Sequence, residues 1–238
     1  MKLAIMQPYF FPYLGYFSLI RQTEKLVIFD NVQFIRHGWI ERNRILKPND
    51  GWQYISVPLI KHERNAKINE IRIRSLEDWK AKLLRQLEHY RKKARNYDLT
   101  LALIERSFAL NTDSIVELDV WILRNICEYL EIKFNYEIFS SMVLNIEAPR
   151  HPGEWALNIC KAMNATEYCN PPGGFDIFQA SEFASSGIGL TFIKNNLRQY
   201  DQYRENFEAG LSIIDVLMFN DRNQILSMLD DIECIRAA

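Results

Sequence analysis

The stretch His37-Gly38-Trp39-Ile40-Glu41-Arg42-Asn43-Arg44-Ile45 gathers an imidazole, an indole and two guanidinium groups into one short run. If the run is extended, Arg42 and Arg44 point the same way, which suits two forks gripping a phosphate or pyrophosphate. Trp39 offers a face on which a base or a sugar can stack. The same cluster can also serve as a surface ion-pair network with Glu41. Histidine as a residue type suits proton transfer near neutral pH, so His37 is the first candidate to take a proton from an amine, and Asp30 is the second.

Asp30 opens Asp30-Asn31-Val32-Gln33, at the end of the apolar residues 26–29. Asp and Asn are depleted in strands because their side chains compete for backbone hydrogen bonds. Here they either face a site or make a turn. Gln7, Tyr9 and Tyr16 lie in the loop 7–17, where six aromatics, two prolines and Gly15 permit neither a helix throughout nor a clean strand. Gly15 marks a strand-to-helix junction, the kind that seats ligands at a helix amino terminus, or else a tight turn that packs aromatics. Ser140-Ser141 and Gly173-Gly174 end later apolar runs and join Gln7, Gln33, Asn43 and Arg44 as binding candidates. Asp215 falls within the apolar run 211–219, so it must find a partner there or face a cavity.

These residues require a scaffold of buried strands. Residues 3–6 and 26–29 are short apolar runs with a helix expected over 16–22, and together they form a βαβ unit that implies a parallel sheet. Further strands are expected at 32–35, 52–59, 68–73, 134–139, 166–169 and, last, 189–194. A helix capped by Ser75, with Glu77 and Asp78 in its first turn, is expected to carry the basic run 80–95 on its outer face. Other helices are expected over 112–130, 152–163, 213–218 and 223–229. The fold class is therefore α/β, a central, mostly parallel sheet in one domain over 1–238 with a helical region, 76–131, packed alongside.

Lys and Arg (29) nearly cancel Asp and Glu (30), so no general electrostatic drive toward nucleic acid or an anionic membrane exists. No apolar run is long enough to span a bilayer, and the amino-terminal apolar run is too short for a leader. None of the four cysteines forms a C-x-x-C pair, which argues for reduced, mostly buried thiols in a cytoplasmic protein. Walker, dinucleotide and metalloprotease motifs do not occur. His62 and His89 sit in polar basic runs, and His151 sits where a helix begins.

The same residues carry a resemblance. Gln7-Pro8-x-Phe10-x-Pro12-x-x-Gly15-Tyr16-Phe17, Asp30-Asn31-Val32-Gln33-Phe34 and Arg42-Asn43-Arg44-Ile45 resemble the WbqC-like protein family. Val57-Pro58, Gly173-Gly174, Tyr200-x-Gln202 and the run 211–220 extend the likeness over almost the whole chain. Glu41 departs from it, since the family often has Asn there. The resemblance implies a bacterial protein of surface-polysaccharide (O-antigen or capsule) synthesis. The reaction it implies is transfer of an acyl or aminoacyl group, such as glycyl, from a donor to a nucleotide-linked amino sugar. The element order is also similar to that of nucleotidylyltransferases and pantothenate synthetase, whose H-x-G-H motif corresponds here to Tyr13-Leu14-Gly15-Tyr16. No cofactor is expected on the first reading, and ATP enters only if the chain is an adenylating amide synthetase. A non-catalytic scaffold of polysaccharide assembly is the third reading.

Overall fold

The computed structural model describes residues 1–75 and 78–237. In chain order its elements are β1 (Lys2–Met6), α1 (Leu14–Gln22), β2 (Lys25–Ile28), β3 (Arg42–Leu46), β4 (Trp52–Ser56), α2 (Trp79–Leu87), α3 (Tyr97–Phe108) and α4 (Ile115–Tyr129). Then follow β5 (Tyr136–Ile138), α5 (Glu154–Ala162), β6 (Glu167–Asn170), α6 (Ala180–Ser185), β7 (Gly189–Asn195), α7 (Ile213–Phe219), α8 (Arg222–Leu229) and β8 (Ile232–Arg236). The main sheet runs β5-β2-β1-β6-β7-β8. Every pair in it is parallel except the last, where β8 closes the edge antiparallel to β7. The chain is thus α/β with a mostly parallel sheet, and β1 and β2 are neighbours joined through α1.

Continuous apolar strands follow from this arrangement, because helices cover both faces. Alternation along the strands sends Leu3, Ile5 and Val27 into one core with Leu157, Cys160 and Phe183 of α5 and α6. Ala4, Leu26 and Ile28 enter the other, with Phe17, Leu123 and Ile214 of α1, α4 and α7. Cys127, Cys160 and Cys169 are buried free thiols, and burial pushes each up to about 12, so they pack as inert apolar groups.

Several elements differ from expectation. Helix α1 starts at Leu14, because the chain turns into it directly after Pro12 and Tyr13. Strand β2 stops at Ile28, and residues 32–35 contribute only an isolated antiparallel bridge, Gln33 to Lys67. Ile68, Ile71 and Ile73 do not form a half-exposed strand. They make a 3-10 turn and isolated bridges, and all three are buried. The cap of α2 is Asp78 rather than Ser75, its carboxylate accepting the Ala81 N–H at 3.3 Å. Glu77 lies outside the described residues. Strand β7 is not the last, since the edge strand β8 mixes charged and apolar residues and carries little periodic signal.

Candidate functional site

In the order β5-β2-β1-β6-β7 the chain first winds outward from β1 through β2 to β5, then returns to β6 on the opposite side of β1. Ligands of open α/β sheets bind in the crevice beyond the carboxyl ends of the strands where the order reverses. Here that point lies between Gln7, after β1, and Asn170, at the end of β6.

The sequence at this end builds a rigid polar rim. The Gln7 carbonyl accepts the Tyr16 hydroxyl at 2.9 Å, and the Tyr9 ring lies 5.4 Å from that of Tyr16. Burial raises the hydroxyl pKa of Tyr9, and that of Tyr16 well above its ordinary value, so both are neutral donors. Asp30 is buried beyond β2 and accepts the Ser140 N–H at 2.9 Å and hydroxyl at 2.5 Å. It therefore ties the end of β2 to the turn after β5. Asn170 bonds the Tyr168 hydroxyl at 2.6 Å. A Cβ on Gly174 would sit 2.6 Å from both Asn170 Oδ1 and the Phe178 ring, so any larger residue would push Asn170 or Phe178 aside. Gly173 is open and exposed, and Ser141 lines a shallow depression of about 550 Å³ beside β5.

The helix amino terminus at the crevice is covered. A Cβ on Gly15 would lie 2.5 Å from the Tyr13 ring, so the missing side chain lets this phenol fold over the first turn of α1. The place where a phosphate would meet free N–H groups in a dinucleotide-binding fold is thus shielded by an aromatic.

The antiparallel pair β3–β4 forms a second surface. Arg42 and Arg44 lie on one face, opposite Ser56 and Tyr54, while Asn43 between them points the other way. The Arg44 guanidinium lies 5.4 Å from the Trp39 ring and 5.2 Å from the Trp52 ring, and that of Arg42 lies 3.9 Å over Tyr54. Their hydrogen bonds go to the carbonyls of His37 and Gly210, and their buried Nε atoms have no partner. No carboxylate pairs with either among the described residues. Trp39 and Tyr54 are partly exposed, at 38% and 36%. Asn43 holds the hairpin to the crevice loop by donating to the Phe10 and Phe11 carbonyls at 3.1 and 2.8 Å. Phe11 has φ of 42°, a strained value that Asn43 and Ser212, whose hydroxyl donates to the same Phe11 carbonyl at 2.8 Å, hold in place.

The candidates therefore divide. Gln7, Tyr9, Asp30, Ser140 and Gly174 gather at the sheet ends, whereas Trp39, Arg42 and Arg44 lie on the hairpin face turned away from Phe10. Gln33 is exposed and donates to the Arg64 carbonyl at 2.9 Å. His37 has φ of 59°, its backbone N–H donates to Glu41, and its side chain is 78% exposed. Asp215 lies apart from His37, fully buried, and accepts from Tyr90 at 2.7 Å, Tyr200 at 2.6 Å and Gln202 at 3.0 Å. Its partners are thus phenols and an amide, not an arginine. Burial pushes its carboxyl up to about 6, against the pull of those donors. Tyr90 also accepts the Leu46 N–H at 2.9 Å, so Asp215 anchors the hairpin to α7 and to residues 200–202.

Residues that the motif reading passed over include Trp52 and Tyr54, which complete the aromatic face, and His151, whose Nε2 lies 3.1 Å from both oxygens of Glu182. One ligand atom each from His151, Glu154 and Glu182 lie within 4.8 Å of one another, a spacing that would suit a cation. Arg150 already meets that charge, since its Nε donates to Glu154 at 2.7 Å and its guanidinium holds the Glu154 carboxyl well below the usual range. The group is an ion-pair network joining the β5–α5 and β6–α6 connections.

The model of the WbqC-like protein family matches residues 7–227. A Mycobacterium tuberculosis protein described as uncharacterized is 30% identical over 228 residues, which cover 92% of this chain and 93% of that protein. No solved structure matches the chain. No helix among the described residues is long and apolar enough to cross a membrane.

Proposed function

This chain belongs to the WbqC-like protein family, and we propose that it transfers an acyl or aminoacyl group, such as glycyl, to a nucleotide-linked amino sugar in bacterial surface-polysaccharide synthesis. The observation that carries the reading is the outer face of the β3–β4 hairpin. Two guanidinium groups without carboxylate partners among the described residues lie there among three aromatic rings. Guanidinium forks suit a diphosphate, and the rings of Trp39 and Tyr54 suit a base or a sugar stacked beside it. The Trp39 carbonyl accepts the Phe10 N–H at 2.9 Å, so the chain leading into the hairpin is tied to the crevice loop. On this reading the sugar extends past Tyr9 toward Gln7 and Asn170, and the amide forms there.

The adenylating alternative draws less support. Tyr13 and Tyr16 stand where an ATP-gripping motif has histidines, and the Tyr13 ring covers the first turn of α1. Calorimetry with a dTDP- or UDP-linked amino sugar, and separately with ATP, tests the choice. Binding of the nucleotide sugar, weakened about tenfold or more in Arg44→Ala, is the expected result. Binding of ATP alone would favour the adenylating enzyme, and binding of neither would favour a scaffold.

A further inference from the structure

We infer that His151 takes the amine proton in the acyl transfer proposed above, with Glu182 as its positioning partner; the inference rests on that reading. Acyl transfer to an amine needs a proton acceptor with one ring nitrogen held and the other open. His151 meets this description. Its Nε2 lies 3.1 Å from both Glu182 oxygens, its Nδ1 makes no hydrogen bond among the described residues, and its side chain is 27% exposed. A carboxylate at Nε2 keeps the proton on that nitrogen and leaves the Nδ1 lone pair free to accept one.

The placement agrees with the crevice. His151 lies in the connection from β5 to α5, and Glu182 in the first turn of α6, after β6. Both connections leave the carboxyl ends of strands on either side of β1 and β2. Gly153 locks them together, because a Cβ there would come within 2.2 Å of the Ile177 carbonyl oxygen. The charged groups facing the imidazole are Glu182, Glu154 and Arg150. Arg150 pairs with Glu154 and also lies 3.8 Å from Glu182, so its charge is shared between the two carboxylates, and the part of Glu182 toward the ring is to hold Nε2. His37 has only a 3.8 Å approach to Glu41 and a side chain turned to solvent. Asp30 is buried with both oxygens engaged by Ser140.

The step, written for an acyl thioester donor, is as follows. The amine lone pair forms a C–N bond to the acyl carbon as the carbonyl π pair moves to oxygen. The nitrogen's proton passes to His151 Nδ1. The carbonyl re-forms, the C–S bond breaks, and the imidazolium returns the proton to the departing thiolate, giving an amide and a thiol.

The test uses the full chain with a dTDP-linked amino sugar and acetyl and glycyl thioesters, together with ¹⁵N NMR of the histidine rings without substrate. In the wild type, His151 is expected as the Nε2–H tautomer, a preference lost in Glu182→Gln. His151→Gln is expected to lower kcat about a hundredfold or more while KM for the sugar changes little. Glu182→Gln is expected to lower kcat about tenfold while KM for the sugar changes little, since the ring is no longer held in the productive tautomer. His62→Gln serves as the unchanged control. Wild-type turnover with an unaltered kcat in His151→Gln overturns the assignment alone. The expected tautomer with no wild-type turnover of any amino sugar overturns the acyl-transfer reading and, with it, this role.

Discussion

Asp119 on α4 and Asp215 on α7 are both fully buried carboxyl groups, yet their surroundings are opposite. Asp215 accepts from two phenols and an amide. Neither oxygen of Asp119 has a partner among the described residues, and burial drives its carboxyl well above the usual range. Burial therefore favours the neutral form of Asp119. Asp215 is a strut between segments distant in sequence. An unpaired buried polar group costs stability, whereas one that satisfies three donors makes each of them expensive to remove.

The largest expected effect follows directly. Asp215→Ala leaves Tyr90, Tyr200 and Gln202 without their acceptor, and should lower unfolding stability by about 3 kcal/mol or more in urea titrations. A loss below about 1 kcal/mol would erase the contrast with Asp119.

The next effect is in pH. The Asp215 carboxyl is raised from 3.8 to about 6 in the folded chain, so the native state holds a proton that the unfolded state has released. Its contribution is fully present below the lower value and is lost as pH rises through the higher one. Wild type should therefore lose roughly 2–3 kcal/mol relative to Asp215→Asn between pH 4 and 7. Paired denaturation series at several pH values measure this, and parallel curves would refute it.

A smaller effect of opposite sign is expected at Asp119. Asp119→Leu removes a desolvated acid without breaking a bond, and should stabilise by about 1–2 kcal/mol, a few degrees in Tm for a chain of this size. Destabilisation would reveal a partner for this carboxyl. The smallest change is Tyr200→Phe, which removes one of the three donors to Asp215 and should cost about 1 kcal/mol by the same urea titration. A cost well above that would mean the tyrosine carries the network.

The apolar runs of β1 and β2 make the parallel sheet readable in the sequence, because strands covered on both faces leave an unbroken apolar signature. The shared direction of Arg42 and Arg44 was equally readable, since alternation is local. Which way that shared face turns was not. It depends on Asn43 finding the carbonyls of Phe10 and Phe11, more than thirty residues away. The same holds for His151, which looks like an ordinary residue before a helix until Glu182, thirty-one positions later, closes on its ring. Ile68, Ile71 and Ile73 misled because alternation at two-residue spacing also arises where a turn and isolated bridges bury successive isoleucines.

The central position of β1 has a consequence for synthesis on the ribosome. Its second neighbour, β6, pairs through residues 167–169, so one side of the innermost strand stays open until most of the chain has emerged. At ordinary elongation rates that interval is on the order of ten seconds, during which β1 and β2 can already pair. The nascent half-sheet then presents an unpaired parallel edge made of the apolar residues Leu3, Ala4 and Ile5. Such an edge is a template for the wrong strand, whether from the same chain or a neighbouring one. Folding yield should thus depend on how fast the second half arrives to cover Leu3, Ala4 and Ile5.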